Sequence, residues 1–337
     1  MEKTKAAVRY LVLLAVAAGL LWLSFRGIDW RATFAEFESI NYGWLGISIF
    51  VSVIAFFSRA RRWNLLIEPL GHAPGIFRTI NALMIGYLAN LAIPRLGEVT
   101  RCGTLSRSAH VPFNILLGTV IVERVLDVIC LSACLFLTAW IEHDRLGHFM
   151  SVNIFHPIQH KIASMSLMTL LLLLGVFSIT VITTILVVRK RSQVPVATDG
   201  KFAQLIKGIL QGLRSIRTIE RKGEFIFHTV LIWFLYFLMS YTCFKALPAT
   251  AGLSWQAGLF VLVVGGMGMS APVQGGIGAY HLLVSRGLLL YGMTAVHGLA
   301  FATLMHTSQT LLIIIMGTIA FILVSMGSVT KKANETP

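Results

Sequence analysis

Charge of either sign is scarce in this chain: 12% of the 337 residues are charged, and only 14 are Asp or Glu. A soluble domain ordinarily carries about twice that share, so none is expected, and no long polar linker that would attach one is present. Cysteine is equally sparse. Cys102, Cys130, Cys134 and Cys243 all fall in or beside apolar segments, with no Cys-x-x-Cys pair and no disulfide framework. Cys130 and Cys134 share a helix face, where small polarizable packing residues are the expected reading.

Apolar residues dominate, at 56% of the chain with a mean hydropathy of +0.79. That composition is a polytopic membrane protein's. The runs at 10–25, 44–57, 165–188, 225–244 and 295–326 read as crossings of a hydrocarbon core about 30 Å thick. Run 10–25 is longer than a signal-peptide core and lacks a small-x-small cleavage site, so it counts as a helix. The expected fold is all-α, a polytopic helix bundle forming one transmembrane domain over 1–337.

The net charge of +14 does not point to nucleic acid, because the cations gather at the ends of apolar runs. There they set orientation. Lys3, Lys5 and Arg9 place the amino terminus in the cytoplasm, and Lys331 and Lys332 place the carboxyl terminus there. Arg59, Arg61 and Arg62 bring the chain back inside after the second span. The basic segment 189–224 is expected to be a cytoplasmic loop, with an amphipathic stretch at 201–219 suited to an anionic lipid surface.

Two apolar stretches are interrupted by Pro-x-x-Gly: Pro94-Arg95-Leu96-Gly97 and Pro272-Val273-Gln274-Gly275. Irregular backbone at membrane depth is tolerated only inside protein or beside a wet cavity. If 76–93 crossed fully, the nine Lys and Arg between 189 and 222 would fall on the outer face. Orientation by charge therefore favours a hairpin at 76–111 that dips in from the cytoplasm and turns at Pro94. A second, at 258–291, enters from outside and turns near Pro272. Span, hairpin, span over 42–140 is then mirrored over 225–327. Such an inverted repeat with two oppositely oriented re-entrant hairpins is a transporter scaffold. The alternative is that both interruptions are ordinary loops.

Ionisable groups inside a membrane are costly and mark sites or salt-bridge networks. Arg95, Glu98 and Arg101 lie in the first hairpin, and Glu123, Arg124 and Asp127 in the next span at spacings that put all three on one side of a helix. Three cations balance three anions. This is either a structural lock or an anion site, since the guanidinium fork suits phosphate. The second hairpin is glycine-dense, with Gln274, Gly275, Gly276 and Gly278 leading into Tyr280 and His281. Its glycines allow close backbone approach to a ligand, or simply close helix packing. It is no Walker or dinucleotide loop, lacking a preceding strand and a Lys-Ser/Thr. The outer segment 142–160 carries His143, His148, His156 and His160 at irregular spacing, which fits no known metal site. No metal or cofactor is expected. His306-Thr307-Ser308-Gln309 forms a polar patch in the last span.

Three motifs in order, Asn90-x-x-x-Pro94-Arg95-x-Gly97-Glu98-x-x-Arg101, Glu123-Arg124-x-x-Asp127 and Pro272-x-x-Gly275-Gly276-Ile277-Gly278, resemble the transmembrane region of lysylphosphatidylglycerol synthases, a flippase-like family. The resemblance covers nearly the whole chain and implies lipid translocation. Under it, Arg95, Glu98, Arg101, Glu123, Arg124, Asp127, Gln274, Gly275, Gly276, Gly278, Tyr280 and His281 are candidate substrate-binding residues. Asn90, Pro94, Gly97 and Pro272 are candidate hinges. Family members commonly have a residue between the Pro and Arg of the first motif, and a Glu where His281 stands. No synthase domain follows the last span, so lipid aminoacylation is not expected. The expected partner is an anionic phospholipid or a polyprenyl-phosphate lipid in the bacterial cytoplasmic (inner) membrane. Two other readings stand beside it. One is a non-transporting scaffold, or an anchor for a separate lipid-modifying or glycosyltransferase enzyme. The other is an intramembrane lipid-phosphate enzyme with His281 and Glu98 as acid and base.

Overall fold

Proline and glycine stop several of the described helices. The computed structural model describes residues 18–19, 21–22, 30–145 and 219–333. The runs at 10–25 and 165–188, the basic loop, its amphipathic stretch, and His148, His156 and His160 fall wholly or almost wholly outside those residues. Among the described residues the structure is helical, without strands. Its helices are α1 (Trp30–Glu38), α2 (Tyr42–Ile67), α3 (Ile76–Ala92), α4 (Leu96–Ala109), α5 (Phe113–Ile141), α6 (Lys222–Phe244), α7 (Trp255–Ser270), α8 (Ala279–Leu288) and α9 (Ala295–Ala333). Residues 1–138 and 207–337 form one compact unit, to which all that follows belongs. Of the second unit, 139–206, only the end of α5 and the next few residues are described, among them an Arg145–Glu142 pair at 2.7 Å.

Local chemistry explains the boundaries. Asn41 caps α2, its Oδ1 accepting the N–H of Gly43 at 3.1 Å and of Trp44 at 3.3 Å. Pro94 ends α3, because the residue before a proline is pushed out of the helical region; Ile93 is extended at φ −134°. Arg95 then takes the left-handed conformation at φ 65° and α4 runs back. Pro272 ends α7 by the same rule, with Ala271 outside the helical region at φ −59° and ψ 145°. Gly275, Gly276 and Gly278, all at positive φ, reverse the chain into α8. For Gly275 and Gly276 the freedom from a Cβ is required by this turn.

Each reversal makes an antiparallel helical hairpin packed through small residues. A Cβ on Gly97 would overlap the Gly86 carbonyl oxygen, and one on Gly86 would lie 3.0 Å from Arg101 Cβ. Asn90 closes the tip by accepting the Gly97 N–H at 2.6 Å. In the second hairpin a Cβ on Gly268 would lie 2.8 Å from Tyr280 Cα, and one on Gly287 would lie 2.6 Å from a Phe260 ring carbon. Where the surroundings are apolar, such close backbone approach replaces hydrophobic collapse as the source of helix association.

α9 ties the two hairpins together. Near its start, a Cβ on Gly298 would lie 2.8 Å from the Ser285 carbonyl oxygen of α8. Eight residues on, the His306 ring N–H donates to the Gly275 carbonyl at 2.8 Å, at the tip of the second hairpin. Further along, a Cβ on Gly317 would lie 2.8 Å from Leu88 Cβ on α3. The two tips touch directly, since a Cβ on Gly275 would meet Leu91 Cδ2 at 2.8 Å. α2, α6 and α9 are long and apolar enough to cross a membrane, whereas α3 and α7 are shorter apolar helices. Large exposed apolar side chains, such as Val128 and Phe136 on α5 and Ile315 and Ile322 on α9, give the bundle a lipid-compatible surface. The chain is an integral membrane protein.

Candidate functional site

Two carboxylates on α5, Glu123 and Asp127, stand one helical turn apart and draw in arginines from two other helices. Glu123 is fully buried. Its Oε1 accepts from Arg59 Nη2 at 2.7 Å and Arg62 Nη2 at 3.3 Å, and its Oε2 pairs with Arg101 Nη1 at 2.8 Å. Asp127 Oδ1 accepts from Arg62 at 2.6 Å, and Oδ2 from Arg59 at 3.4 Å. Aromatic rings back the guanidinium groups. Arg101 lies 4.8 Å above the Trp63 ring, and Arg59 lies 5.6 Å from the Tyr87 ring while donating to the Tyr236 hydroxyl at 2.9 Å. Trp63 is held in turn by Thr119, whose hydroxyl accepts its indole N–H at 2.9 Å.

The cluster is not neutral. Arg59, Arg62 and Arg101 are buried against Glu123 and Asp127, leaving one positive charge in excess. Arg124 and Glu98 stand at the margin, half-exposed and 4.0 Å apart, and do not change that balance. Donor capacity is also left over. Arg59 Nε, Arg62 Nε and Nη1, and Arg101 Nη2 are buried without a hydrogen-bond acceptor. A buried donor with no acceptor is costly, on the order of 1–3 kcal/mol. Four such groups lie in this cluster, beside a Glu98 oxygen that is likewise buried without a hydrogen-bond partner.

The second constellation surrounds the turn of the α7–α8 hairpin. Gln274 is buried, and neither its side-chain oxygen nor its nitrogen has a hydrogen-bond partner. His281 and His306 have ring centroids 4.9 Å apart, and Tyr280 lies 5.4 Å from His306. The Gly275 carbonyl meets the His306 ring. The turn thus gathers buried imidazole and phenol side chains, with a buried amide beside it in sequence.

The sequence-selected residues therefore divide. Arg101, Glu123 and Asp127 converge, with Glu98 and Arg124 at the edge. Gly275, Tyr280 and His281 gather elsewhere around His306, with Gln274 adjacent to them in sequence at the same turn. Arg95 joins neither group; it is exposed at the hairpin tip and makes no ion pair among the described residues. Arg59 and Arg62 are a correction. Read as orientation charges beyond the second span, they lie inside α2, which continues to Ile67, and they supply two of the three buried cations. Their spacing of three, facing an acidic pair spaced by four, was the available signal. Arg61 does sit at the rim, its Nε donating to Glu224 at 2.6 Å. Glu98 and His281 have different neighbours, Arg124 and His306 respectively. Among the described residues no group of His, Cys, Asp and Glu is placed to hold a metal ion.

A family model described as the lysylphosphatidylglycerol synthase TM region matches residues 10–317. Among curated proteins, a UPF0104 membrane protein of Methanocaldococcus jannaschii is 24% identical over 223 residues, which cover 58% of this chain and 60% of that protein. The chain thus spans about 60% of the length of this curated relative. No solved structure matches.

Proposed function

This chain belongs to the lysylphosphatidylglycerol synthase transmembrane-region family, and from that premise we propose that it carries an anionic lipid between membrane leaflets, gripping the headgroup phosphate with Arg59, Arg62 and Arg101. The observation that carries the reading is the surplus of buried guanidinium charge and unpaired N–H donors around Glu123. A phosphate entering there gains charge-assisted, two-pronged hydrogen bonds. Glu123 and Asp127 hold the arginines in place when no lipid is bound and compete for them when it leaves, so the grip is strong but reversible. Arg95 meets the headgroup as it passes the hairpin tip, because an unpaired cation at membrane depth is tolerable only beside water or a ligand. Gln274, Tyr280, His281 and the turn glycines form the facing wall. A phospholipid and a polyprenyl phosphate offer the same phosphate chemistry to this site.

The geometry supports a re-entrant arrangement. α4, at 14 residues, is about 21 Å long and α8, at 10, about 15 Å, both short of a core about 30 Å thick. The second hairpin has its base beside the start of α9 and its tip near His306. The first lies along the later part of that same span, which runs Ala295–Met326. Hairpins so placed enter from opposite faces and meet near the middle, as an inverted repeat with a midplane site requires. Both termini are then cytoplasmic.

The test is reconstitution in liposomes with fluorescent phosphatidylglycerol, a polyprenyl phosphate and phosphatidylcholine, beside Arg101→Ala and Arg62→Ala. Losing one charge-assisted grip, on the order of 1.5–3 kcal/mol, should slow anionic lipid by about tenfold or more and leave phosphatidylcholine unchanged. Rates equal to empty liposomes for every anionic lipid would sink the transport reading and leave the cluster as the lock of a scaffold. Release of inorganic phosphate from the lipid would instead make the chain an enzyme.

A further inference from the structure

The open end of the first hairpin holds a cavity of about 900 Å³ that the central cluster does not use. It is lined by the first turns of α3, the last turns of α4 and the stretch Phe321–Ser325 of α9. Arg78 and Arg107 stand on its two hairpin walls, both exposed and without an ion pair among the described residues. No Asp or Glu lines it; besides the two arginines its polar groups are the His110 imidazole, the Asn81 amide and hydroxyls such as those of Thr100 and Ser108. The third wall is apolar, formed by Phe321, Leu323 and Val324 with Ile85.

The cavity and the cluster lie on different faces of α4. Thr100, Gly103, Thr104 and Arg107 line the cavity, spaced as one helical stripe, while Arg101, Cys102 and Leu105 are buried on the other side. Its place along the bundle is also distinct. Phe321–Ser325 is where α9 leaves its membrane span, so the cavity sits at a membrane–water boundary. Uncompensated guanidinium on two walls and hydrocarbon on a third suits an amphipathic phosphate: headgroup on Arg78 and Arg107, chain along Phe321 and Leu323. A volume near 900 Å³ is at the upper end of the ~300–1,000 Å³ usual for small-molecule sites. That is far more room than a free phosphate needs.

We propose that this cavity is a second, interfacial binding site for the phosphate headgroup of an anionic lipid, where the lipid is captured from one leaflet before it reaches the buried cluster. The proposal shares the lipid specificity of the transport reading and does not require translocation itself. Phe321 replaced by a photoreactive phenylalanine analogue, in the full-length protein in nanodiscs, would report on the site directly. Labelled phosphatidylglycerol should crosslink there, and unlabelled phosphatidylglycerol but not phosphatidylcholine should compete. Arg78→Ala/Arg107→Ala should cut crosslinking at least fivefold, and Arg78→Lys/Arg107→Lys should restore most of it. Gel filtration of each variant confirms folding, which substitution of two exposed side chains should not disturb. Equal crosslinking of both lipids, or no loss in the double alanine variant, would overturn the site. Competition by inorganic phosphate as effective as that by lipid would make it a free-phosphate site and overturn the lipid assignment. Crosslinking that persists in a protein unable to move lipid would defeat the transport reading and leave this site standing.

Discussion

Glu123 is fully buried with three guanidinium groups against it, so its charge is held by these neighbours. Removing one partner from a buried ion network costs about 3–5 kcal/mol, because the remaining charges stay buried and unpaired. Glu123→Gln should therefore lower thermal stability in detergent sharply. Glu98→Gln, which loosens a 4.0 Å contact to a half-exposed arginine, should cost less than about 1 kcal/mol. Equal effects would mean the network is hydrated and carries little of the fold. Arg95 gives the opposite separation. It holds a left-handed backbone at φ 65°, a conformation that costs a non-glycine residue about 1–2 kcal/mol. Arg95→Gly should thus leave the melting temperature unchanged or raised while slowing anionic lipid transport. A variant that transports normally would remove Arg95 from the pathway. The acidic partners and Arg101 were legible in the sequence because charges within apolar runs stand out. Arg59 and Arg62 were hidden by their position near a run's end, where orientation is the ordinary meaning of a cation.

At the scale of elements, the hairpins were the most legible feature and their packing the least. Pro94 and Pro272 announce where the helices break, through a steric rule that acts on adjacent residues and needs no tertiary information. Which glycines face a partner helix depends on register between helices, which no local pattern records. Gly46 and Gly97 look alike in sequence. A Cβ on Gly46 meets nothing within 4 Å, while one on Gly97 drives into the Gly86 carbonyl. Gly97→Ala should open the α3–α4 hairpin at a cost of about 1–3 kcal/mol, and Gly46→Ala should be neutral or stabilising by about 0.5–1 kcal/mol. Thermal unfolding of the two single variants distinguishes them, and a tolerated Gly97→Ala would show that the hairpin tip is not tightly closed.

For the whole molecule, the charges on the loops and the contacts of α9 are independent observations. The first concern which face each Lys and Arg occupies; the second concern which part of one span each hairpin touches. Both fit the proposed topology, in which the hairpins enter from opposite sides, and that topology has a direct test. In a cysteine-free background, Ala73→Cys and Pro112→Cys flank the first hairpin, and Gly252→Cys and Thr294→Cys flank the second. A membrane-impermeant thiol reagent should reach the first pair only from the cytoplasmic face and the second pair only from the outer face. If α3 instead crossed the membrane and α4 lay along the far surface, Ala73→Cys and Pro112→Cys would label from opposite faces. That outcome would also strand Arg78 and Arg107 on separate sides of the bilayer, which the cavity they share does not allow. Labelling of the first pair from one face therefore bears on more than topology, because it is the condition for the buried arginines to be approached from one leaflet and released toward the other.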